Sequence, residues 1–136
     1  MKYRNGIFCG CFDLYHVGHQ RAIQYCKDRC AILTIGLFTD EAIMGYKGHY
    51  PAVPYEYRKE LLLEIFPDCQ ILKLTEHKIH DFSLYDAHFI SEEFRGKQLL
   101  VDDSYRGETI FFPRCSLISS SEIKRRCCDG NCVCHK

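Results

Sequence analysis

Five short apolar runs, at 6–12, 31–38, 69–74, 97–103 and 108–113, alternate with stretches of helical spacing. Runs of this length, rich in β-branched and aromatic residues, read as strands. Strands alternating with helices predict an α/β domain with a mainly parallel five-stranded sheet. Right-handed crossovers then lay helices on both faces, giving three layers. The first helix is expected to bury Val17, Ala22, Ile23, Cys26 and Cys30 as one stripe. A second, over 55–66, follows Pro54 at its first position and buries Leu61, Leu62 and Ile65. Residues 84–94 have helical periodicity, and Ser119 with Glu122 form a capping box for a last helix. Residues 39–44 read as a loop entering a short turn, and 45–54, with two glycines and two prolines, as an ordered loop.

The chain of 136 residues fits one domain, 1–126, with a Cys-rich tail at 127–136. Its 18 basic and 18 acidic residues cancel, which argues against a nucleic-acid surface, since such binding needs many unpaired cations. No apolar run reaches membrane-spanning length and no signal peptide is evident, so a cytoplasmic protein with reduced thiols is expected. Ten cysteines are then mostly small core residues. In the tail, Cys127, Cys128, Cys132, Cys134 and His135 lack a Cys-x-x-Cys pair, and no metal ligands are assigned.

The stretch "GCFDLYHVGH" (10–19) places His16 and His19 where the first strand hands over to the first helix. An i, i+3 spacing sets both imidazoles on one helix face. In an open parallel sheet, ligands bind at the carboxyl ends of the strands, and helix N-termini there favour phosphate. Gly10 and Gly18 allow close backbone approach. Two imidazoles at such a place can donate hydrogen bonds to charge that builds on phosphate oxygens. A structural role or a metal site is the alternative, but zinc needs further ligands that the neighbourhood does not supply.

The same stretch closely resembles the Gly-x-(Phe/Tyr)-Asp-x-x-His-x-Gly-His motif of the cytidylyltransferase branch of the nucleotidyltransferase superfamily. The resemblance continues in order through "FTDE" (38–41), "GYKGHYPAVPYEYRKELL" (45–62), "VDDS" (101–104) and "PRCSLISSSEIKRR" (113–126). It implies a Rossmann-like domain that joins CTP, with Mg²⁺, to a small phosphorylated alcohol and releases pyrophosphate. His16, His19, Lys47 and Arg114 are then the catalytic set. Gly10, Cys11, Phe12, Asp13, Gly18, Ser119, Ser120 and Ser121 hold the nucleotide, with Asp13 either metal-associated or loop-ordering. Arg58, Asp40, Asp102 and Asp103 read the acceptor, Arg58 by gripping its phosphate; without the resemblance, Arg58 reads as a surface ion pair with Glu41 or Glu64. A homodimer is implied as well.

The chain departs from the family pattern at Leu117 and Val101, each in place of a glycine, and it contains no tryptophan. The stretch from Asp103 to Arg114 is too short for an intervening helix. These changes fall around the acceptor and base pockets. The compact length resembles the glycerol-3-phosphate enzymes of the family, and that resemblance implies glycerol 3-phosphate as acceptor. Phosphoethanolamine, phosphocholine, an adenylyl donor, or a degenerate module that binds nucleotide without catalysis are the alternatives.

Overall fold

The computed structural model describes residues 2–97, 99–113 and 122–125. The elements run β1 (Tyr3–Gly10), α1 (Val17–Lys27), β2 (Cys30–Phe38), α2 (Asp40–Lys47), α3 (Tyr55–Ile65), β3 (Gln70–Leu74), β4 (Ala87–Ser91) and β5 (Glu108–Phe112). Every pairing is parallel and the strand order is β3-β2-β1-β4-β5. The chain builds outward from β1 to β3, then returns across β1 to start β4. That reversal opens a crevice at the carboxyl ends of β1 and β4, where ligands of open parallel sheets bind.

Each face of the sheet carries its own apolar cluster. On one, Ala22, Ile23 and Cys26 of α1 and Tyr55 and Leu62 of α3 join Leu33, Ile35 and Phe89. On the other, Ala42 and Ile43 of α2 meet Ile7, Phe38 and Leu74, together with Ile79, Leu100 and Val101 from irregular segments. Strand contact is close between β1 and β2. A Cβ on Gly36 would lie 2.5 Å from Sγ of Cys9, its register partner, so only glycine fits there.

The parallel sheet matches the expected class, but several elements differ. Residues 84–94 are not a helix. Ala87, His88 and Phe89 are consecutive and fully buried, which is the pattern of a central parallel strand rather than of one helical stripe. With that slot filled by β4, residues 97–103 are not a strand. Leu100 and Val101 are buried from a loop, anchored where Ile79 N–H donates to the Leu100 carbonyl (3.1 Å). Cys30 opens β2 instead of closing α1, and Val17 is exposed because its position faces away from the sheet. In α3 the buried residues are Tyr55, Arg58 and Leu62, spaced to share one face, while Leu61 turns outward. Pro54 precedes α3 as its N-cap residue. Residues 40–47 form a full helix, α2, because the Thr39 hydroxyl accepts from Ala42 N–H and caps it. The expected last helix is described only at 122–125; Ser119 and the Cys-rich tail lie outside the described residues.

Candidate active site

The loop from β1 to α1 is shaped around Asp13. Phe12 (φ 51°) and Leu14 (φ 48°), on either side of it, both take the left-handed conformation that side chains other than glycine rarely adopt. Strain of this kind costs roughly 1–3 kcal/mol per residue and persists only where surroundings over-determine it. Here they do. Phe12 is buried, edge-on to Phe8 (5.5 Å) and to His19 (5.4 Å). The Asp13 carboxylate accepts from Ala52 N–H (2.8 Å), Val53 N–H (2.9 Å) and the Lys124 ammonium (2.6 Å). Burial alone would raise this carboxyl, but Lys124 and the two backbone donors outweigh it and hold it below the usual carboxylate range. Of the two roles expected for Asp13, loop ordering is the one these contacts perform.

A second buried charge stitches the same loops from below. Arg58 is 2 % exposed. Its Nε donates to the Val53 carbonyl (2.8 Å), Nη1 to the Cys11 (2.7 Å) and Phe38 (2.9 Å) carbonyls, and Nη2 to Asp40 Oδ1 (2.7 Å). Four of its five N–H groups are thereby engaged inside the fold. Arg58 thus makes no surface pair with Glu41 or Glu64, and neither it nor its partner Asp40 lines the cleft described below. α3 is amphipathic, and Arg58 falls on the inward face with Tyr55 and Leu62, directly beneath the loop carbonyls.

On this support the histidines cap α1. Gly18 N–H donates to His16 Nδ1 (3.0 Å), and His16 N–H donates to His19 Nδ1 (3.2 Å). The two rings stack at 3.9 Å. Because each Nδ1 accepts, each neutral imidazole carries its proton on Nε2. Burial, with the neighbouring His16 and Lys47 charges, pushes the His19 pKa down to about 4. At neutral pH His19 is therefore an uncharged N–H donor. The helix terminus around it offers further donors to an anion.

Both histidines line a cleft of about 780 Å³, together with Gly10, Cys11, Phe12, Asp13, Gly18 and Lys47. Lys47 is not in a glycine loop but in the last turn of α2, before Gly48 (φ 81°) ends the helix. It reaches the Cys11 thiol, whose pKa burial raises and the Lys47 and Arg58 charges pull back.

The opposite wall comes from the end of β4 and was not nominated from sequence. Ser91, Glu93, Phe94 and Lys97 line the cleft there. Asp102 and Asp103 do not. They lie exposed in the loop before β5, where Ser104 N–H donates to the Asp102 carboxylate (2.8 Å). The paired acids at a strand's carboxyl end are Glu92 and Glu93, followed by the aromatic Phe94. Reading 87–91 as a strand would have found the pair. Lys124, His77 and Tyr46 also line the cleft without having been singled out. Arg114, Ser119, Ser120 and Ser121 lie outside the described residues.

Among the described residues no three His, Cys, Asp or Glu side chains gather to hold a metal, and Asp13 is occupied by its donors. A magnesium ion would find one cleft carboxylate among the described residues, Glu93, able to add an oxygen, and would have to keep most of its waters. This donor set does not fit a protein-built cage. No helix among the described residues is long and apolar enough to cross a membrane.

The model of the family described as cytidylyltransferase-like matches residues 7–126. Glycerol-3-phosphate cytidylyltransferase of Bacillus spizizenii is 32% identical over 126 residues, covering 85% of this chain and 91% of that protein. Phosphopantetheine adenylyltransferase of Thermococcus kodakarensis is 25% identical over 111 residues, 80% of this chain and 64% of that protein. Among solved structures, the lipopolysaccharide core biosynthesis protein of Thermoplasma volcanium superposes with a TM-score of 0.58 at 13% identity, covering 95% of this chain and 89% of that one. That likeness concerns the fold.

Proposed function

Since this chain belongs to the cytidylyltransferase-like family of nucleotidyltransferase enzymes, we propose that it transfers CMP from CTP to glycerol 3-phosphate and releases pyrophosphate. The observation that carries this reading is the pair of stacked, Nδ1-anchored imidazoles at a helix N-terminus inside the crevice of the sheet, with His19 uncharged at neutral pH. The acceptor's phosphate oxygen attacks the α-phosphorus, and the bond to pyrophosphate breaks in line. The protein supplies position and charge stabilisation. His16 and His19 donate from Nε2 to the oxygens on which charge grows. Lys47 faces the phosphates from α2. Asp13 and Arg58 keep the loops in place without moving a proton. Magnesium, when bound with the nucleotide, shields the triphosphate charge.

The choice of glycerol 3-phosphate is supported by the Bacillus relative and its 91% coverage. The adenylyltransferase relative favours a second reading, an adenylyl donor in the same cleft. Pyrophosphate release with Mg²⁺ separates them, using CTP or ATP against glycerol 3-phosphate, phosphoethanolamine and phosphocholine. Turnover with CTP and glycerol 3-phosphate is expected, reduced about 10²- to 10³-fold in His16→Ala. Preference for ATP would replace the donor. CTP binding without turnover of any acceptor would make the protein a nucleotide-binding module. The homodimer belongs to the same reading and is checked by sedimentation at assay concentration.

A further inference from the structure

Lys47 stands on weak local structure. α2 has eight residues, and Gly45 sits within its last turn. A Cβ at Gly45 would meet nothing within 4 Å, so no packing demand explains the glycine, which is among the poorest helix formers. Gly48 then ends the helix in the left-handed conformation. A helix this short is marginal on its own, so its last turn holds its place through side-chain contacts. Ala42 and Ile43 are buried, but they belong to the earlier part of the helix.

The contact for the last turn comes from the segment after β3. The ring of Tyr46, next to Lys47, lies on the His77 imidazole at 4.0 Å and 6° from parallel. His77 in turn lies 5.4 Å from the ring of Phe38, at 19°. Phe38 is buried at the end of β2, so this second contact ties the pair to the sheet. All three rings line the cleft beside Lys47. Burial lowers the His77 pKa, so the ring stacks in its neutral form.

We propose that His77 is a positioning residue: by stacking on Tyr46 it fixes the last turn of α2 and with it the Lys47 ammonium in the cleft. The role is one of shape, so a flat apolar ring serves as well as imidazole. It rests on the reading that Lys47 meets the nucleotide's phosphates.

The test measures CTP affinity by calorimetry, which needs no acceptor. Removing a charged hydrogen-bond donor, Lys47→Ala, is expected to weaken CTP binding about 10-fold or more. His77→Ala is expected to weaken it about 2- to 10-fold, the range one ring pair commands. Tyr46→Leu, at a half-exposed position, should reproduce that loss without threatening the fold. His77→Phe should bind within about 2-fold of the parent by the same measure. His77→Ala added to Lys47→Ala should cost nothing more, because the lysine it positions is gone. The proposal is overturned if His77→Phe is as weak as His77→Ala, since the imidazole would then act by its own chemistry. Additive losses in the double variant, or unchanged affinity in both His77→Ala and Tyr46→Leu, overturn it too. If Lys47→Ala binds CTP like the parent, the phosphate role of Lys47 fails, and positioning fails with it. Loss in Lys47→Ala with none in His77→Ala leaves that role standing and removes only the positioning.

Discussion

Two buried polar side chains, Arg58 under the histidine loop and His88 in the middle of β4, meet opposite circumstances. Arg58 gives four N–H groups to three carbonyls and one carboxylate. His88 is 1 % exposed, and its Nδ1 has no hydrogen-bond partner among the described residues. Burial pushes its pKa down to about 4. The first region has exposed its polar backbone groups by leaving regular structure at two loops, and a guanidinium fork is shaped to collect them. The second is regular strand, where the backbone ladder is complete and a side-chain donor or acceptor finds nothing left to pair with. A buried polar group is therefore a structural clamp near loop ends and a liability inside a ladder.

The widest gap between the two regions is tested by deletion. Arg58→Met leaves the Val53, Cys11 and Phe38 carbonyls and Asp40 unpaired, and is expected to cost about 3–5 kcal/mol. Urea denaturation reads that loss directly, and Arg58→Lys should recover little of it, because an ammonium cannot match the fork. A loss under about 1 kcal/mol would sink the clamp.

His88→Leu should behave in the opposite sense. From pH 6.5 down to about 4 the unfolded chain takes up a proton that folded His88 refuses, so stability falls over that window. Above it both states are neutral, and below it both are charged. The slope is about 1.4 kcal/mol per pH unit, so His88 accounts for roughly 3 kcal/mol of acid destabilisation. In His88→Leu that share disappears, and stability at pH 7 is equal or higher. Melting curves across pH 4–7 that remain parallel to those of the parent would contradict this.

Asp13→Asn probes the first region more gently. The amide keeps an oxygen for one backbone N–H but gives up the charge that Lys124 meets. The expected cost is about 1–3 kcal/mol above pH 5. As the pH falls through the lowered Asp13 pKa, the parent loses the same contribution and the two proteins converge. Denaturation midpoints that stay apart in acid would show that charge is not what Asp13 contributes.

Local signals were legible where neighbours in sequence are neighbours in space. The β1–α1 junction could be read because its strand, glycines and histidines are contiguous, and the cap that orders both imidazoles spans only residues 16–19. The segment from 84 to 103 was misread for the converse reason. Ala87-His88-Phe89 is apolar enough for a helix or a strand, and only the slot beside β1 chooses between them. That misreading passed over Glu93, which lines the cleft from the end of β4, in favour of Asp102 and Asp103, which do not line it.

By itself, the sequence determined the alternation of strands and helices, the parallel class and the histidine pair at the β1–α1 junction. These follow from periodicity and short motifs, which act within a few residues. Tertiary structure alone decided that Arg58 turns inward, that Asp13 gathers donors from positions 52, 53 and 124, and that His77 supports Tyr46. The partners of Asp13 and His77 lie 30 to more than 100 residues away in the chain and those of Arg58 come from separate elements and loops, and burial, which fixes their charge and their reach, exists only once the sheet has brought them together.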